Sequence, residues 1–458
     1  MRMEIDNVYT KVSKFDEAEQ HWLLTYLAFE DVDNPGAKIS LFNAIDCSFP
    51  SGLVPMAVKG AERQGFAVDI MDKRQVPCVP DANADIDWLR WYQKEAVACC
   101  VHTGHGIVDA PTGSGKTEIF AGLVKSLPCK WLFLVYRNNL VSQAADRYEK
   151  RTGEKAFIWK AGDSLPPKDT RVVLTTFQTL FAGLKRRNKH AISILLNAEG
   201  IIIDECHTVP AASFYKVVIN ARNAYYRFGL SGTPLARGDQ KSLMAIAGLG
   251  SVIYKIKSKT LIEEGVLAKP IIRMQNFYEE CNAKTWPGVY SKSIVRSKKR
   301  NSLIVHIVKK ATYPCLVFVR DIKHGETLQK MLEKEGFAVD FVWGKKDEAQ
   351  RDRVVKRLEY GETEVCVSSV VFQEGVDIPI LASVVLAGAG KSIIATLQNI
   401  GRGMRTNDGL KMEFEVWDVN DLGNRTLEKH SRARRRTYMQ QGYEISMLDE
   451  VPPTISSG

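Results

Sequence analysis

The sequence predicts an α/β protein: two parallel-sheet domains in series behind a small α+β unit. From about residue 86, short apolar runs recur as GIVDA, KWLFLVY, RVVLTTF, GIIIDE and YRFGLSG. They are continuous rather than alternating, which suits strands buried on both faces. Between them lie helix-length segments such as KTEIFAGLVKSL and LVSQAADRYEKRTG. That texture indicates a parallel sheet covered by helices. After about residue 257 it repeats in PIIRMQ, CLVFVRD, FAVDFVW, EVCVSS, SVVLAG and FEVWDV. A length of 458 residues agrees, being enough for about three domains of ~150 residues.

Residues 1–84 read as an α+β accessory domain. MEIDNVYTKV is strand-like, and an amphipathic AEQHWLLTYLAF follows it. Turn material around Asp33, Asn34, Pro35 and Gly36 precedes the helical GLVPMAVKGAERQG and the strand-like FAVDIMD. The polar stretch Val79–Asp85 reads as a linker. Residues 85–256 then form the first parallel domain and 257–424 the second. Residues 425–458 form a basic tail, with EKHSRARRRTYMQQ as a helix candidate and VPPTISSG frayed.

Composition narrows the class. Apolar residues at 45% and charged residues at 25% are those of a soluble globular chain, not a disordered or collagenous one. No window is long and apolar enough for a membrane span, and the start MRMEIDNVYTKVSKFDE has no apolar segment for secretion. Nine scattered cysteines without CxxC read as reduced thiols of a cytoplasmic protein. Cys206 and His207 are adjacent but have no second ligand pair, so they are not read as a metal site. The net charge of +10 is uneven: 8 basic and 13 acidic residues in 1–84 leave that unit at −5 and the remainder at +15. A basic body suits a polyanionic partner.

The strongest motif is the run Asp109-Ala110-Pro111-Thr112-Gly113-Ser114-Gly115-Lys116-Thr117, placed after a strand and before a helix. This is a phosphate-binding loop, with Ala110 where a first glycine usually stands. Backbone N–H groups cradle phosphates, Lys116 reaches the β/γ oxygens and Thr117 offers a hydroxyl to Mg²⁺. Further on, Ile201-Ile202-Ile203 runs into Asp204-Glu205-Cys206-His207. A buried strand ending in two carboxylates delivers them to the edge where α/β proteins hold ligands. There Asp204 would hold Mg²⁺ and Glu205 would polarise an attacking water.

The phosphate loop, DECH and Ser231-Gly232-Thr233-Pro234 resemble, in order and spacing, the superfamily-two helicases and translocases of the DExH type, over roughly residues 86–420. The resemblance implies two tandem RecA-like domains using ATP and Mg²⁺. Arg90 and Gln93, in LRWYQ, then sit at the adenine end of the nucleotide. Arg137 and Asn138, with Thr175, Thr176 and Gln178, fall where the family grips one nucleic-acid strand. Ser231 and Thr233 couple hydrolysis to movement. In the second domain Arg320, Ser368 and Ser369 are further strand contacts, and Gly375 and Asp377 approach the nucleotide. Gln398 belongs to the coupling set, and Arg402 and Arg405 are arginine fingers for the γ-phosphate. Arg434 and Arg435 in the basic tail are additional DNA-contact candidates, while Arg296, Lys298, Lys299 and Arg300 suit a strand backbone and a solvated helix start equally.

The layout of an α+β unit ahead of a compact motor resembles the phage branch-migration helicases. That implies ATP-driven remodelling of forks and four-way junctions in recombination, repair or replication. The expected partners are single-stranded and branched duplex DNA together with recombination or replication proteins, in a bacterial or phage-infected cytoplasm. Two alternatives stay open. One is an RNA helicase or double-strand translocase of the same build; the other is a nucleotide-switched binding module with little turnover.

Overall fold

The computed structural model describes residues 1–449 apart from 32, 33, 35, 207–210, 233–241, 344–347, 370–377, 379, 402, 405 and 407–410. The chain divides into two compact units, one taking in Met1–Pro111 and Gly115–Ile256 and the other Thr112–Ser114 together with the chain from Lys257 on.

The first unit opens with strands β1 (Arg2–Ile5), β2 (Tyr9–Ser13), β3 (Ala28–Glu30), β4 (Lys38–Ser40), β5 (Ser48–Pro50) and β6 (Asp69–Asp72), with helices α1 (Glu17–Tyr26) and α2 (Val54–Arg63). Four strands form a sheet in the order β5-β2-β1-β6, and β3 pairs with β4 in a separate hairpin. The run expected as one strand over MEIDNVYTKV is two strands of an antiparallel pair. Asp6 breaks it, because its Oδ1 accepts from the N–H groups of Val8 and Tyr9, both at 2.7 Å, and closes a turn. Helix α1 starts at a capping box between Asp16 and Glu19.

Next come β7 (His105–Asp109), β8 (Trp131–Val135), β9 (Phe157–Ile158), β10 (Val172–Thr176), β11 (Gly200–Asp204), β12 (Tyr226–Ser231) and β13 (Val252–Lys255). They form one parallel sheet in the order β13-β7-β12-β11-β8-β10-β9. The five expected strands are the central ones. The edge strands β9 and β13 were hidden by their shortness. The helices are α3 (Trp91–Thr103), α4 (Lys116–Ser126), α5 (Asn138–Thr152), α6 (Phe177–Lys185), α7 (Lys189–Asn197), α8 (Ala211–Asn220) and α9 (Ser242–Leu249). Trp131 and Trp159 are buried in its core.

The N-terminal sheet is not a separate body on a linker. Its apolar core of Met3, Ile5, Val12, Leu23, Phe49 and Leu53 continues into Ala247 of α9, with Tyr215, Leu243 and Ile246 packed around it. Tyr215 donates its hydroxyl to Tyr9 at 3.3 Å, and Asn7 reaches the Arg222 carbonyl at 3.3 Å. Gly52 lies so close to α9 that a Cβ there would collide with the carbonyl oxygens of Ile246 and Ala247. The linker is also tied down. Asp81 donates its N–H to the Ser126 carbonyl at 2.9 Å, and the Arg74 guanidinium lies 5.4 Å from the Tyr225 ring centroid.

The second unit holds α10 (Ser258–Glu263), β14 (Lys269–Tyr278), α11 (Trp286–Val289), α12 (Lys298–Lys310), β15 (Cys315–Phe318), α13 (Ile322–Lys334), β16 (Val339–Val342), α14 (Glu348–Glu359), β17 (Val365–Ser368), β18 (Ser383–Leu386), α15 (Ile393–Gly401), β19 (Glu413–Leu422), α16 (Arg425–Gln440) and β20 (Glu444–Leu448). Its parallel sheet runs β16-β17-β15-β18-β19-β14-β20. The stretch expected as a basic tail is therefore partly framework: α16 packs on β19, and β20 completes the sheet against β14. Both units are thus built on parallel sheets with helices, the tandem RecA-like class that the sequence predicts. Among the described residues no helix is long and apolar enough to cross a membrane.

Gly52→Leu should loosen the N-terminal sheet from α9, because the added side chain meets backbone that cannot move aside. Overpacking of this kind costs about 1–3 kcal/mol. The expected readout is a lower denaturation midpoint and faster proteolytic release of the first ~85 residues. Deleting 1–84 should be harsher, since it bares Leu243, Ile246 and Ala247 to water.

Candidate nucleotide site and nucleic-acid contacts

Parallel strands place successive strand ends on one edge, and there β7, β11 and β12 converge. Strand β7 ends at Asp109, and its loop closes at α4. Gly113 and Gly115 have φ of 86° and 81°, the left-handed region that glycine enters without strain. A Cβ on Gly115 would also lie 2.5 Å from Gln93 Nε2, so the loop is seated against that amide. Gln93 itself is buried at the start of α3, with its Oε1 accepting from the Arg90 N–H at 2.9 Å. The structure thus joins Gln93 to the phosphate loop and leaves Arg90 exposed. Ala110, in place of a glycine, is fully buried, and its N–H donates to the Ser231 carbonyl at 2.9 Å. That bond ties the phosphate loop to the end of β12.

Lys116 opens α4 and its ammonium lies 3.0 Å from Glu205 Oε1. Asp204 ends β11, and its Oδ1 accepts from the Glu205 N–H at 3.0 Å. Glu205 has a φ of 47°, strained backbone for a glutamate, which turns the chain away immediately after the strand. Burial raises the proton affinity of Asp204, the adjacent Glu205 charge raises it further, and Lys116 opposes both. Two half-buried carboxylates beside one ammonium are an oxygen donor set that fits a hard dication. Thr117 follows Lys116 directly. On the neighbouring strand end Lys255, which sequence reasoning missed, contacts Asp109 at 2.6 Å. Burial nevertheless holds the Asp109 carboxyl above its ordinary range.

Ser231, at the end of β12, is fully buried beside Asp109. Thr233, Gly375, Asp377, Arg402 and Arg405 lie outside the described residues, as does the side chain of Gln398.

The expected nucleic-acid contacts separate into two groups. Asn138 and Gln178 are exposed in the first turns of α5 and α6, and Arg137 is half-buried as the α5 N-cap. Arg320 and Arg435 are exposed, with Arg320 lying 5.8 Å from the Tyr290 ring centroid. The hydroxyls do not reach outward. Thr175 is fully buried and donates its proton to the Trp159 carbonyl at 2.7 Å. Thr176 caps α6 through its bond with the Thr179 N–H, and Ser368 is buried, donating to the Ser369 carbonyl. Ser369 is nearly buried, its N–H given to the Val342 carbonyl. The Thr175 and Ser368 hydroxyls are thus buried and donate within the fold in this structure.

Arg434 also corrects the sequence reading. It is 4% exposed, paired with Asp418 at 2.8 Å, and donates to the carbonyls of Val419 and Gly390. Tyr438 adds its hydroxyl to the same carboxylate at 2.7 Å. Arg300 is likewise buried, against Asp421 at 2.6 Å. Both arginines fasten helices to β19. The exposed cations of α16 are Arg425, Lys429, Arg432, Arg435 and Arg436, four of which recur at the spacing of one helix face.

Comparison with known proteins agrees with the two-unit build. Residues 87–236 match the family described as "Type III restriction enzyme, res subunit", and 298–407 match the "Helicase conserved C-terminal domain". The chain is a superfamily-two helicase. It resembles the phage helicases: it is 28% identical to the ATP-dependent DNA helicase uvsW of Enterobacteria phage T4 over 373 residues, covering 77% of this chain and 72% of the relative. It is also 28% identical over 368 residues to helicase 22 of Sulfolobus islandicus filamentous virus, covering 74% of this chain but only 64% of that protein. A solved fragment of an HsdR subunit of a type I restriction enzyme from Vibrio vulnificus shares the fold, with a TM-score of 0.57, 20% identity and coverage of 79% and 68%.

Arg434→Ala should destabilise this helicase by about 3–5 kcal/mol, because Asp418 would stay buried without its counter-ion. Arg435→Ala should leave stability within about 0.5 kcal/mol, as surface substitutions do. Chemical denaturation of the two variants gives the comparison.

Proposed function

We propose that the protein is an ATP-dependent DNA helicase or translocase that remodels branched DNA. The observation that carries the ATPase part is the 3.0 Å Lys116–Glu205 pair beside Asp204, formed where the phosphate loop meets the end of β11. In the proposed cycle the loop N–H groups and Lys116 hold the β/γ-phosphates. Asp204 and Thr117 hold Mg²⁺, which supplies charge neutralisation when bound. Glu205 leaves its pairing with Lys116 once phosphate takes that ammonium, and it then orients water for attack on the γ-phosphorus. Gln93 takes the adenine edge, while Pro111, Thr112 and Ser114 shape the loop. Arg402 and Arg405 keep the finger role that the resemblance implies, and Gly375, Asp377, Ser231, Thr233 and Gln398 keep theirs.

DNA is favoured over RNA because the viral relative named uvsW is called a DNA helicase and XPB2 of Sulfurisphaera tokodaii a DNA 3'-5' translocase. One relative, L396 of Acanthamoeba polyphaga mimivirus, is named an RNA helicase. Action on branched DNA is supported by an extra folded sheet fused to the motor through α8 and α9. A rigid extension suits holding one arm while a strand is pulled. Branch migration exchanges base pairs for equivalent pairs, so the net cost of each step is small.

Lys116→Ala should abolish ATP turnover while retaining DNA binding. Glu205→Gln should still bind ATP but lose at least ~100-fold in kcat, the scale of a positioned catalytic base. Ordinary turnover in either purified variant would overturn the assignment. Substrate choice is tested by comparing forks, four-way junctions, tailed linear duplexes and RNA duplexes under one ATP regime. The expected order places branched DNA first; equal rates, or preference for RNA, would favour a general helicase.

A further inference from the structure

We propose that the turn joining α6 to α7 is a second nucleic-acid contact, which binds the phosphates of a duplex arm beyond the strand gripped at the sheet edge. The proposal rests on the reading of the protein as a nucleic-acid motor. Lys185, Arg186, Arg187, Lys189 and His190 place five basic side chains within six residues, and all five are exposed. No carboxylate among the described residues forms an ion pair with any of them.

The local structure keeps these cations where backbone physics would favour other residues. Arg187 has a φ of 54°, the left-handed region in which glycine or asparagine would sit at lower cost. Lys189 and His190 occupy the first turn of α7, facing the positive end of its dipole, where acidic residues are the stabilising choice. The turn itself is well made. Asn188 caps α7 by accepting from the N–H groups of His190 at 2.9 Å and Ala191 at 3.0 Å. The His190 ring is joined to the Asp163 carbonyl at 3.0 Å, and the Lys185 ammonium lies 4.6 Å from the Phe181 ring centroid. An ordered turn that holds unpaired positive charge against strain and dipole is a site prepared for an anion.

Position selects the kind of anion. Helix α6 starts directly after Thr176, at the edge where β10 ends, and its nine residues carry the chain about 13 Å away. A single strand lying along the sheet edge does not need a contact that far off, whereas nucleic acid continuing past that edge does. A duplex offers one phosphate per ~1.7 Å of axis, twice the linear density of one strand. Several cations on one short turn can then be neutralised together.

The test uses the full chain carrying R186A, R187A and K189A together, which spares Lys185 on its ring and the α7 cap. Binding to a tailed duplex and to a short single strand is measured across a salt series, alongside ATPase stimulated by the short strand. Tailed-duplex affinity is expected to fall at least ~10-fold, and its log–log salt slope to shrink by about 3, close to one per lost phosphate contact. Single-strand binding and stimulated ATPase should be unchanged. The charge-preserving R186K, R187K, K189R variant should bind as wild type does. Unchanged duplex binding and slope would overturn the proposal and leave the turn to an acidic protein segment. Equal losses on single strand and duplex, or failure of the charge-preserving variant, would also overturn it. If the wild-type chain showed no nucleic-acid-stimulated ATPase, the motor reading itself would fall, and this one with it.

Discussion

Desolvated charge at the end of β11 is the constraint around which the first unit is arranged. Two carboxylates on consecutive residues, Asp204 and Glu205, are partly withdrawn from water and held beside a single ammonium 3.0 Å from Glu205. Such a group is costly unless positive charge is supplied. A parallel sheet gathers that charge economically, since every βα connection leaves the same edge. Lys116 comes from the connection after β7, and the β7–β12 pairing sets it opposite the β11 end. Even the Ala110 substitution is accommodated within this frame, because its N–H has a fixed partner in Ser231 and its methyl fits a fully buried position. In the proposed cycle a triphosphate would compete with Glu205 for Lys116, and a dication would neutralise Asp204.

The N-terminal sheet changes meaning in the same light. It docks on α8 and α9, whose connections begin at the DECH strand β11 and at the Ser231 strand β12. Arg227, buried in β12, donates to the carbonyls of Val218, Ala221 and Ala224 and so closes the end of α8. Its guanidinium has left water with no carboxylate in contact among the described residues, and burial lowers its pKa to about 10. Helix α8 is therefore held at its C-terminal end by β12 and flanked by Asn7 and Tyr9. The extension and strands β11 and β12 belong to one packed unit, a different mechanical situation from a domain swinging on a linker.

Much of this was legible in the sequence, for identifiable reasons. Continuous apolar runs revealed the central strands because burial on both faces leaves no room for polar alternation, and the phosphate loop was visible because its glycines answer to backbone geometry. The edge strands β9 and β13 were not, since two to four residues carry no periodicity. The docking of residues 1–84 was not either. Gly52 and the apolar residues of α9 look like ordinary core composition until the two surfaces are opposed. The turn at Asp6 was readable in principle, as an Asx turn within a strand-like run, but its neighbours Val8, Tyr9, Thr10 and Val12 masked it.

The arginines show where sequence patterns stop discriminating. Across 425–436 six basic residues look equivalent, yet Arg434 is buried and the other five are exposed. A helical wheel can separate faces, but it does not reveal that β19 carries two carboxylates to receive guanidinium groups. Asp418 and Asp421 sit in FEVWDVNDL, a strand otherwise apolar enough to be read as featureless core. Once those acids are placed in the sheet interior, charge balance demands one cation for each, and Arg300 and Arg434 are the residues whose helices pass within reach. What remains on α16 after that subtraction is a surface stripe, in which Arg432 pairs with Glu428 one turn away. In the first unit Thr175 and Arg227 are likewise buried, their polar groups bonded within the fold. Asn138, Gln178 and the α6–α7 turn, in contrast, stay exposed at the surface.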